Sequence, residues 1–323
     1  MMSPLRSFAL IVLLFCLTFV ISGCSSIVTR FFIKSVEQIG RPVEPVGNTI
    51  ENPIRPEAGL SVLWVGHATV LIQMHDKIIM TDPLFTRTVG MVMKRTTEPG
   101  LDPAILPRVD FTLISHTHFD HFSFGSLDML PKNGMLLIPL GALQYTPDLG
   151  FSETKEMSPW DVVRHDDVTI TAVPVQHFSG RYGFDILWMR DHGYTGYVIE
   201  SRGTTVFFAG DTGYDPELFK EIGRRFTVDL AILPIGPIEP RDFMERNHID
   251  PAQALLIFQD VGARLMLPMH HKTLIQGFDP TPTYAIEQLR MFAEQLGLAD
   301  RIIDLDIGEQ HVLPLDVIHD LSP

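Results

Sequence analysis

Ser115-His116-Thr117-His118-Phe119-Asp120-His121 places three imidazoles and a carboxylate within six residues. Such groups are unfavourable neighbours at the end of an apolar strand unless a common partner compensates them, and a divalent cation is such a partner. The run before them, Val-Asp-Phe-Thr-Leu-Ile at 109–114, reads as a buried strand. In an extended continuation, side chains two apart share a side, so His116 and His118 converge on one ion. Asp120 and His121 lie past the turn and face a second position close by. The spacing points to two adjacent metal positions rather than to a loop of solvated histidines.

The chain has thirteen histidines, and further segments read as pieces of the same site. His177 follows Pro174-Val175-Gln176, where a strand-like run gives way to a loop. Asp211 ends the apolar run Phe207-Phe208-Ala209-Gly210 and precedes Thr212-Gly213, so glycines on both sides permit close backbone approach. His270 follows Leu267-Pro268-Met269 in the same manner. A polar residue just past a buried strand combines a rigid scaffold with an open tip. Taken singly, His177 and His270 read equally well as satisfied core histidines, and Asp211 as a turn former.

The elements that position these residues are legible in outline. Strands are expected at 61–65, 69–74, 77–80, 135–139, 168–173, 194–200, 204–209 and 230–234. Asp215-Pro216 and Asp250-Pro251 each read as a cap followed by proline at the first helical position, with helices ending near Gly223 and Gly262. Thr283 to Gly297 reads as a third helix, with Ile286, Leu289, Phe292 and Leu296 on one stripe. Residues 83–107 form a long loop, either a surface excursion or a lid. This order suits two sheets covered by helices.

At 323 residues, 45 % hydrophobic and 20 % charged, the chain can bury a substantial core. Its net charge of −14 argues against nucleic acid as a partner. Arg6 precedes an apolar run from Phe8 to Ile21, shorter than the roughly 20 residues that span a bilayer. The run ends in Ile21-Ser22-Gly23-Cys24, which resembles a bacterial lipoprotein cleavage box with Cys24 as the lipidated residue. An uncleaved anchor and a simple secretory signal are the other readings. The expected division is a signal peptide at 1–23, a lipidated tether at 24–57 and one domain at 58–323. Such a chain would face the periplasm from the bacterial cell envelope, and Ser25 suits the outer membrane. Cys16 and Cys24 are the only cysteines, so no thiolate metal site arises.

Together the histidine and aspartate segments resemble the metallo-β-lactamase fold superfamily, in its order of motifs. The resemblance implies an α/β fold, a four-layer αββα sandwich of two mixed sheets. It assigns His116, His118 and His177 to one metal, Asp120, His121 and His270 to a second, and Asp211 as the bridge. Two divalent ions are the implied cofactors; nitrogen and carboxylate ligands suit zinc, with iron and manganese the other readings. Leu63-Trp64-Val65-Gly66-His67-Ala68-Thr69 with Thr81-Asp82-Pro83 resembles the branch holding N-acylphosphatidylethanolamine-hydrolysing phospholipase D and the ascorbate-6-phosphate lactonases. Phe208–Tyr214, Glu221–Phe226, Pro234-Ile235-Gly236 and His248-Ile249-Asp250-Pro251 are similar to the phospholipase side.

That resemblance implies hydrolysis of a phospholipid phosphodiester, with Asp120 and Asp211 orienting the attacking water and His248 as proton donor or substrate contact. A lactonase or other hydrolase is the alternative, a β-lactamase less so, and a non-enzymatic envelope lipoprotein least. Asp82 is expected beside a metal-bound histidine, His67 beneath the site or on the substrate, Arg181 on a phosphate or in solvent, and His271 at the rim. Residues 271–274, His-Lys-Thr-Leu, depart from the phospholipases' Trp-Gly-Thr-Phe and are expected to border the substrate. Whether the chain pairs into a homodimer is left open by the sequence.

Overall fold

Alternation of side chains along apolar strands produces the layers of this protein. In the computed structural model, which describes residues 30, 33–34, 36–38, 40–90, 93–189 and 191–313, β1 (Leu60–Gly66), β2 (Thr69–Met74) and β3 (Lys77–Thr81) form an antiparallel meander. β4 (Thr88–Val89) and β5 (Met93–Lys94) make a small separate hairpin. β6 (Phe111–Leu113), β7 (Met135–Pro139) and β8 (Glu153–Met157) then continue the first sheet in parallel from β3. β9 (Val162–His165), β10 (Val168–Val173), β11 (Gly196–Ser201) and β12 (Thr204–Phe208) run antiparallel in a second sheet. β13 (Leu230–Pro234) and β14 (Leu265–Met269) extend it in parallel, and β15 (Gln310–Leu313) returns to pair with β1. The orders are β15-β1-β2-β3-β6-β7-β8 and β14-β13-β12-β11-β10-β9.

Leu60, Val62 and Trp64 point between the sheets and meet Val206, Phe208 and Ile232. Their neighbours Leu63 and Val65 point to the opposite face, as the two-residue period requires. Phe207 and Ala209 likewise face outward from the second sheet onto helices. Each fully buried side chain of this kind contributes about 1.5–3 kcal/mol. From Leu60 onward the α-helices among the described residues are α1 (Phe124–Asp128), α2 (Ile186–Met189), α3 (Pro216–Arg225), α4 (Arg241–Met244), α5 (Pro251–Asp260) and α6 (Tyr284–Gln295). α3, α5 and α6 cover the second sheet. The opposite layer is mostly loop around α1, through Phe85, Leu101, Leu106 and Phe122. The architecture is α/β with two large mixed sheets.

Several expectations shift. Residues 44–57 are not a free tether: Val46, Ile50 and Ile54 pack on the cores, and Glu44 exchanges backbone hydrogen bonds with Thr96 and Glu98. The first 23 residues and Cys24 lie outside the described residues. The 83–107 stretch is anchored from within, since Leu84, Phe85 and Arg95 are buried and Arg95 donates to the carbonyls of Leu84 and Thr97. β8, β9 and β15 are short, partly exposed edge or near-edge strands that lack a strong apolar signal. Leu296 falls off the buried stripe of α6 and is exposed.

Asp215 and Asp250 cap their helices through side-chain acceptance from the N–H of Glu217 and Gln253. α3 ends at Arg225, two residues past Gly223. Gly223 lies where α3 crosses the end of α5, and a Cβ on it would sit 2.6 Å from the Asp260 carbonyl oxygen. Gly223→Ala is therefore expected to lower unfolding free energy by about 1–3 kcal/mol despite the better helix propensity of alanine. Urea denaturation measures this, and an unchanged or raised midpoint would contradict the crossing.

Candidate metal centre

The histidines and aspartates of the two ligand groups, with Asp82 and Asp211, follow the ends of strands on one common edge. β1, β3 and β6 run in one direction in the first sheet, and β10, β12 and β14 share theirs in the second. Their ends deliver His67, Asp82, the 116–121 loop, His177, Asp211 and His270. The sheets are joined there by a bridge between His116 and Tyr194 and by Thr195 N–H donating to Ser115 O. Gly210 (φ 62°) is required at this junction, because a Cβ would lie 2.3 Å from Ser115 Cβ. His67, Asp82 and His270 also have positive φ, at 55°, 33° and 64°. Such backbones cost about 1–3 kcal/mol each and persist where surrounding contacts hold them, often at functional sites.

His116, His118 and His177 present ligand atoms within 4.8 Å of one another, and so do His67, Asp120, His121 and His270. Asp211 lies between the groups: its Oδ2 is 3.3 Å from His121 Nε2 and 4.0 Å from His116 Nε2, and its Oδ1 is 3.1 Å from His270 Nε2. Asp120 Oδ2 is 3.3 Å from His121 Nε2. His248 stands at the rim, 16 % exposed, with Nδ1 3.6 Å from Asp211 Oδ2.

The orientation of the imidazoles tests whether cations fit. Nδ1 of His116 contacts Ser115 Oγ at 2.9 Å, Nδ1 of His121 contacts Asp82 Oδ2 at 2.6 Å, and Nδ1 of His177 donates to Asn247 O at 2.9 Å. Each ring is thus held from behind, with Nε2 left to face the centre. Nε2 of His116 and of His177 is buried without a hydrogen-bond partner. Buried, inward-facing nitrogens beside two carboxylates match the donor set of zinc or a similar divalent ion.

Electrostatics agree with a pre-built site. Burial pushes His67 down to about 3, with His270 acting in the same direction. Burial also lowers His248 to about 4 and drives His116 and His177 well below the usual histidine range. These rings are neutral at pH 7, the form that binds metal. Burial opposes the charged form of His121 too, but Asp211, Asp120 and Asp82 outweigh it and raise His121 well above its ordinary value.

The supporting residues differ from expectation in three places. Arg181 is neither solvated nor open to a phosphate. It is buried, donates from Nη1 to Thr117 O (3.1 Å) and Phe122 O (2.7 Å), and lies over the rings of Phe124 (4.1 Å) and Phe119 (4.4 Å). It braces the ligand loop. His271 is not at an open rim but stacks on Trp64 with ring centroids 4.4 Å apart. Lys272 Nζ reaches Asp306 and Thr273 Oγ1 accepts from His67 N–H at 2.7 Å, while His271, Lys272 and Leu274 line a cavity beside His270. His67 reaches further inward than a residue packed beneath, its Nε2 lying 3.0 Å from Asp120 Oδ2.

Gln276 and Asn247 went unforeseen. Gln276 Nε2 donates to Asp120 Oδ2 at 2.5 Å, and nothing in its local sequence marks it. Asp82 accepts from Ser115 N–H (2.6 Å) and Oγ–H (2.5 Å) besides contacting His121. Asp82→Asn should weaken metal retention by about 10–100-fold, the usual effect of losing such a partner. Competition against a chelator measures it, and retention equal to the parent protein would remove Asp82 from this role.

The pattern has relatives. The family described as Beta-lactamase superfamily domain matches residues 77–271. N-acyl-phosphatidylethanolamine-hydrolyzing phospholipase D 1 of Caenorhabditis elegans is 30 % identical over 292 residues, covering 82 % of this chain and 79 % of its own. A protein named as a metal-dependent hydrolase in Methanopyrus kandleri is 24 % identical over 78 % of this chain and 99 % of its own. Among solved structures, an isothiocyanate hydrolase from Delia radicum gut bacteria superposes with TM-score 0.63 at 18 % identity, over 79 % of this chain and 99 % of that one. With its strand-end ligands gathered on one edge of two sheets, this chain belongs to the metallo-β-lactamase superfamily as a metal-dependent hydrolase.

Proposed function

We propose that this hydrolase is a phosphodiesterase acting on a phospholipid such as an N-acyl phosphatidylethanolamine, by phospholipase D-type cleavage. The observation that carries the reading is the pair of facing ligand groups with Asp211 between them, in a chain 30 % identical to a C. elegans enzyme named for that reaction. His116, His118 and His177 would hold one divalent ion and Asp120, His121 and His270 the other, with zinc favoured by the donor set. Ions held there would supply an acidified water and would neutralise charge that builds on a phosphoryl oxygen.

The protein's own share is positioning. Asp82, Ser115 and Asn247 fix the ring orientations, so the inward nitrogens need no reorganisation when substrate arrives. His67 and Gln276 both reach Asp120 Oδ2, which fixes how that carboxylate is presented. Asp120 and Asp211 orient the attacking water. His248, neutral and at the rim, holds a proton that it can donate in a hydrogen bond to the leaving oxygen. Lipidation at Cys24 would keep the domain at the envelope membrane, facing the periplasm and close to a lipid substrate.

Purified protein with its metal content measured, offered N-acyl phosphatidylethanolamine, a lactone and a β-lactam, tests the assignment. Release of phosphatidic acid from the lipid is expected, lost on chelation and restored by zinc. Asp211→Ala should lower this activity by more than about 100-fold, beyond what loss of an outer partner causes. Ring opening of the lactone without phosphatidic acid release would overturn the reading in favour of a lactonase.

A further inference from the structure

We propose that Tyr182–Trp188 is a bilayer-docking surface that sets the mouth of the metal centre against lipid. In this protein of well-buried apolar residues, Phe184 is 83 % exposed, Leu187 80 %, Tyr182 62 % and Trp188 55 %. Exposed large apolar side chains clustered along one short segment mark a contact surface.

The patch is built, not frayed. The buried carboxylate of Asp185 accepts from Arg181 N–H at 2.6 Å, Tyr182 N–H at 2.9 Å and Tyr145 Oη–H at 2.6 Å. Met189, at the end of α2, is fully buried and accepts through Sδ from Gln144. With Asp185 and Met189 fixed inward, the apolar side chains between and beside them are turned outward. Exposed Leu143, on the turn that carries Gln144, enlarges the surface.

Its position ties it to the centre. Tyr182 contacts Phe119, ring centroids 5.9 Å apart, and Phe119 adjoins Asp120. A cleft of about 590 Å³, lined by Ile186, Leu187, Phe178 and Tyr194, leads from the patch to His177.

The occupant follows from the other flank of the centre. The chain that carries the Phe8–Ile21 apolar run is first described at Arg30, whose guanidinium lies 4.2 Å from the ring centroid of Phe278. Lys34 Nζ donates to Gly277 O, next to the Gln276 that holds Asp120. The segment leading from the apolar run thus meets the domain beside the metal centre, so a bilayer that receives the run lies close to the patch. Tyr and Trp among aliphatic side chains suit the membrane–water interface. A net charge of −14 favours neutral over anionic lipid.

The inference rests on the lipid-substrate reading for its purpose, yet bilayer contact is read without turnover. Trp64 is buried and Trp160 partly so, which leaves Trp188 as the exposed indole. The full chain is reconstituted with phosphatidylcholine vesicles carrying brominated acyl chains, and the emission difference between parent and Trp188→Phe isolates Trp188. That difference should fall at least about twofold against unbrominated vesicles and shift to the blue, as for an indole at interfacial depth. In a Phe184→Ser, Leu187→Ser variant that keeps its metal content, the quenching should be lost. Unquenched Trp188 emission that stays open to aqueous acrylamide would overturn the proposal. So would shielding that rises with protein concentration before lipid is added, which would make a second copy the occupant. Quenching without phosphatidic acid release would leave docking intact and refute the substrate reading; release without quenching would do the reverse.

Discussion

The buried carboxylate of Asp82 holds together what the rest of the centre needs separately. It accepts two hydrogen bonds from Ser115, at the start of the ligand loop, and faces Nδ1 of His121 within that loop. One group therefore fixes both the backbone position and the ring orientation of the motif. Burial raises the Asp82 carboxyl above its usual range, opposed by His121 and the bonds from Ser115. An unpaired charge there would be strongly destabilising, so the contacts that orient the ligands are also the ones that make burial tolerable. Stability and site geometry are coupled through a single residue.

The two sheets convert that local device into a constellation. Strands running in one direction end on one edge, and loops at that edge converge without long excursions of chain. The inter-sheet core fixes how far apart those ends lie, because Trp64, Phe208 and their neighbours fill the space to close packing. Gly210 then permits the Asp211 loop to touch Ser115 across the junction. Rigidity beneath and openness above follow from the same arrangement: ligands rest on packed strand ends, and the rim is loop.

The rim differs chemically along its length. Around the ligands it is imidazole and carboxylate, held by buried partners. Beyond Phe119 it becomes aromatic and aliphatic, and it is turned outward by the inward anchoring of Asp185 and Met189. The proposed lipid substrate would have the same division, a polar ester joined to apolar chains.

Much of this was legible in the sequence. The period-two apolar runs gave most strands, the Asp-Pro pairs gave two helix starts, and the spacing of the histidine motif gave paired ligand groups. Local patterns reveal these because they express interactions between residues near one another in the chain. Edge strands β8, β9 and β15 were hidden, since partly exposed strands need no apolar alternation. The role of Arg181 was hidden for another reason. A guanidinium reads as solvated or anion-binding until Phe119 and Phe124 are seen packed against it.

The sequence by itself marked the histidines and aspartates that stand as candidate metal ligands, their order, and the strand ends that carry most of them. Only the tertiary structure decided how they are aimed: Asn247 behind His177, Gln276 and His67 on Asp120, His271 against Trp64, and an apolar segment beside the mouth. The physical reason is range. Ligand type and strand period are properties of a few consecutive residues, whereas the partner that orients a side chain lies 53 to 207 positions away in these contacts and is chosen by packing.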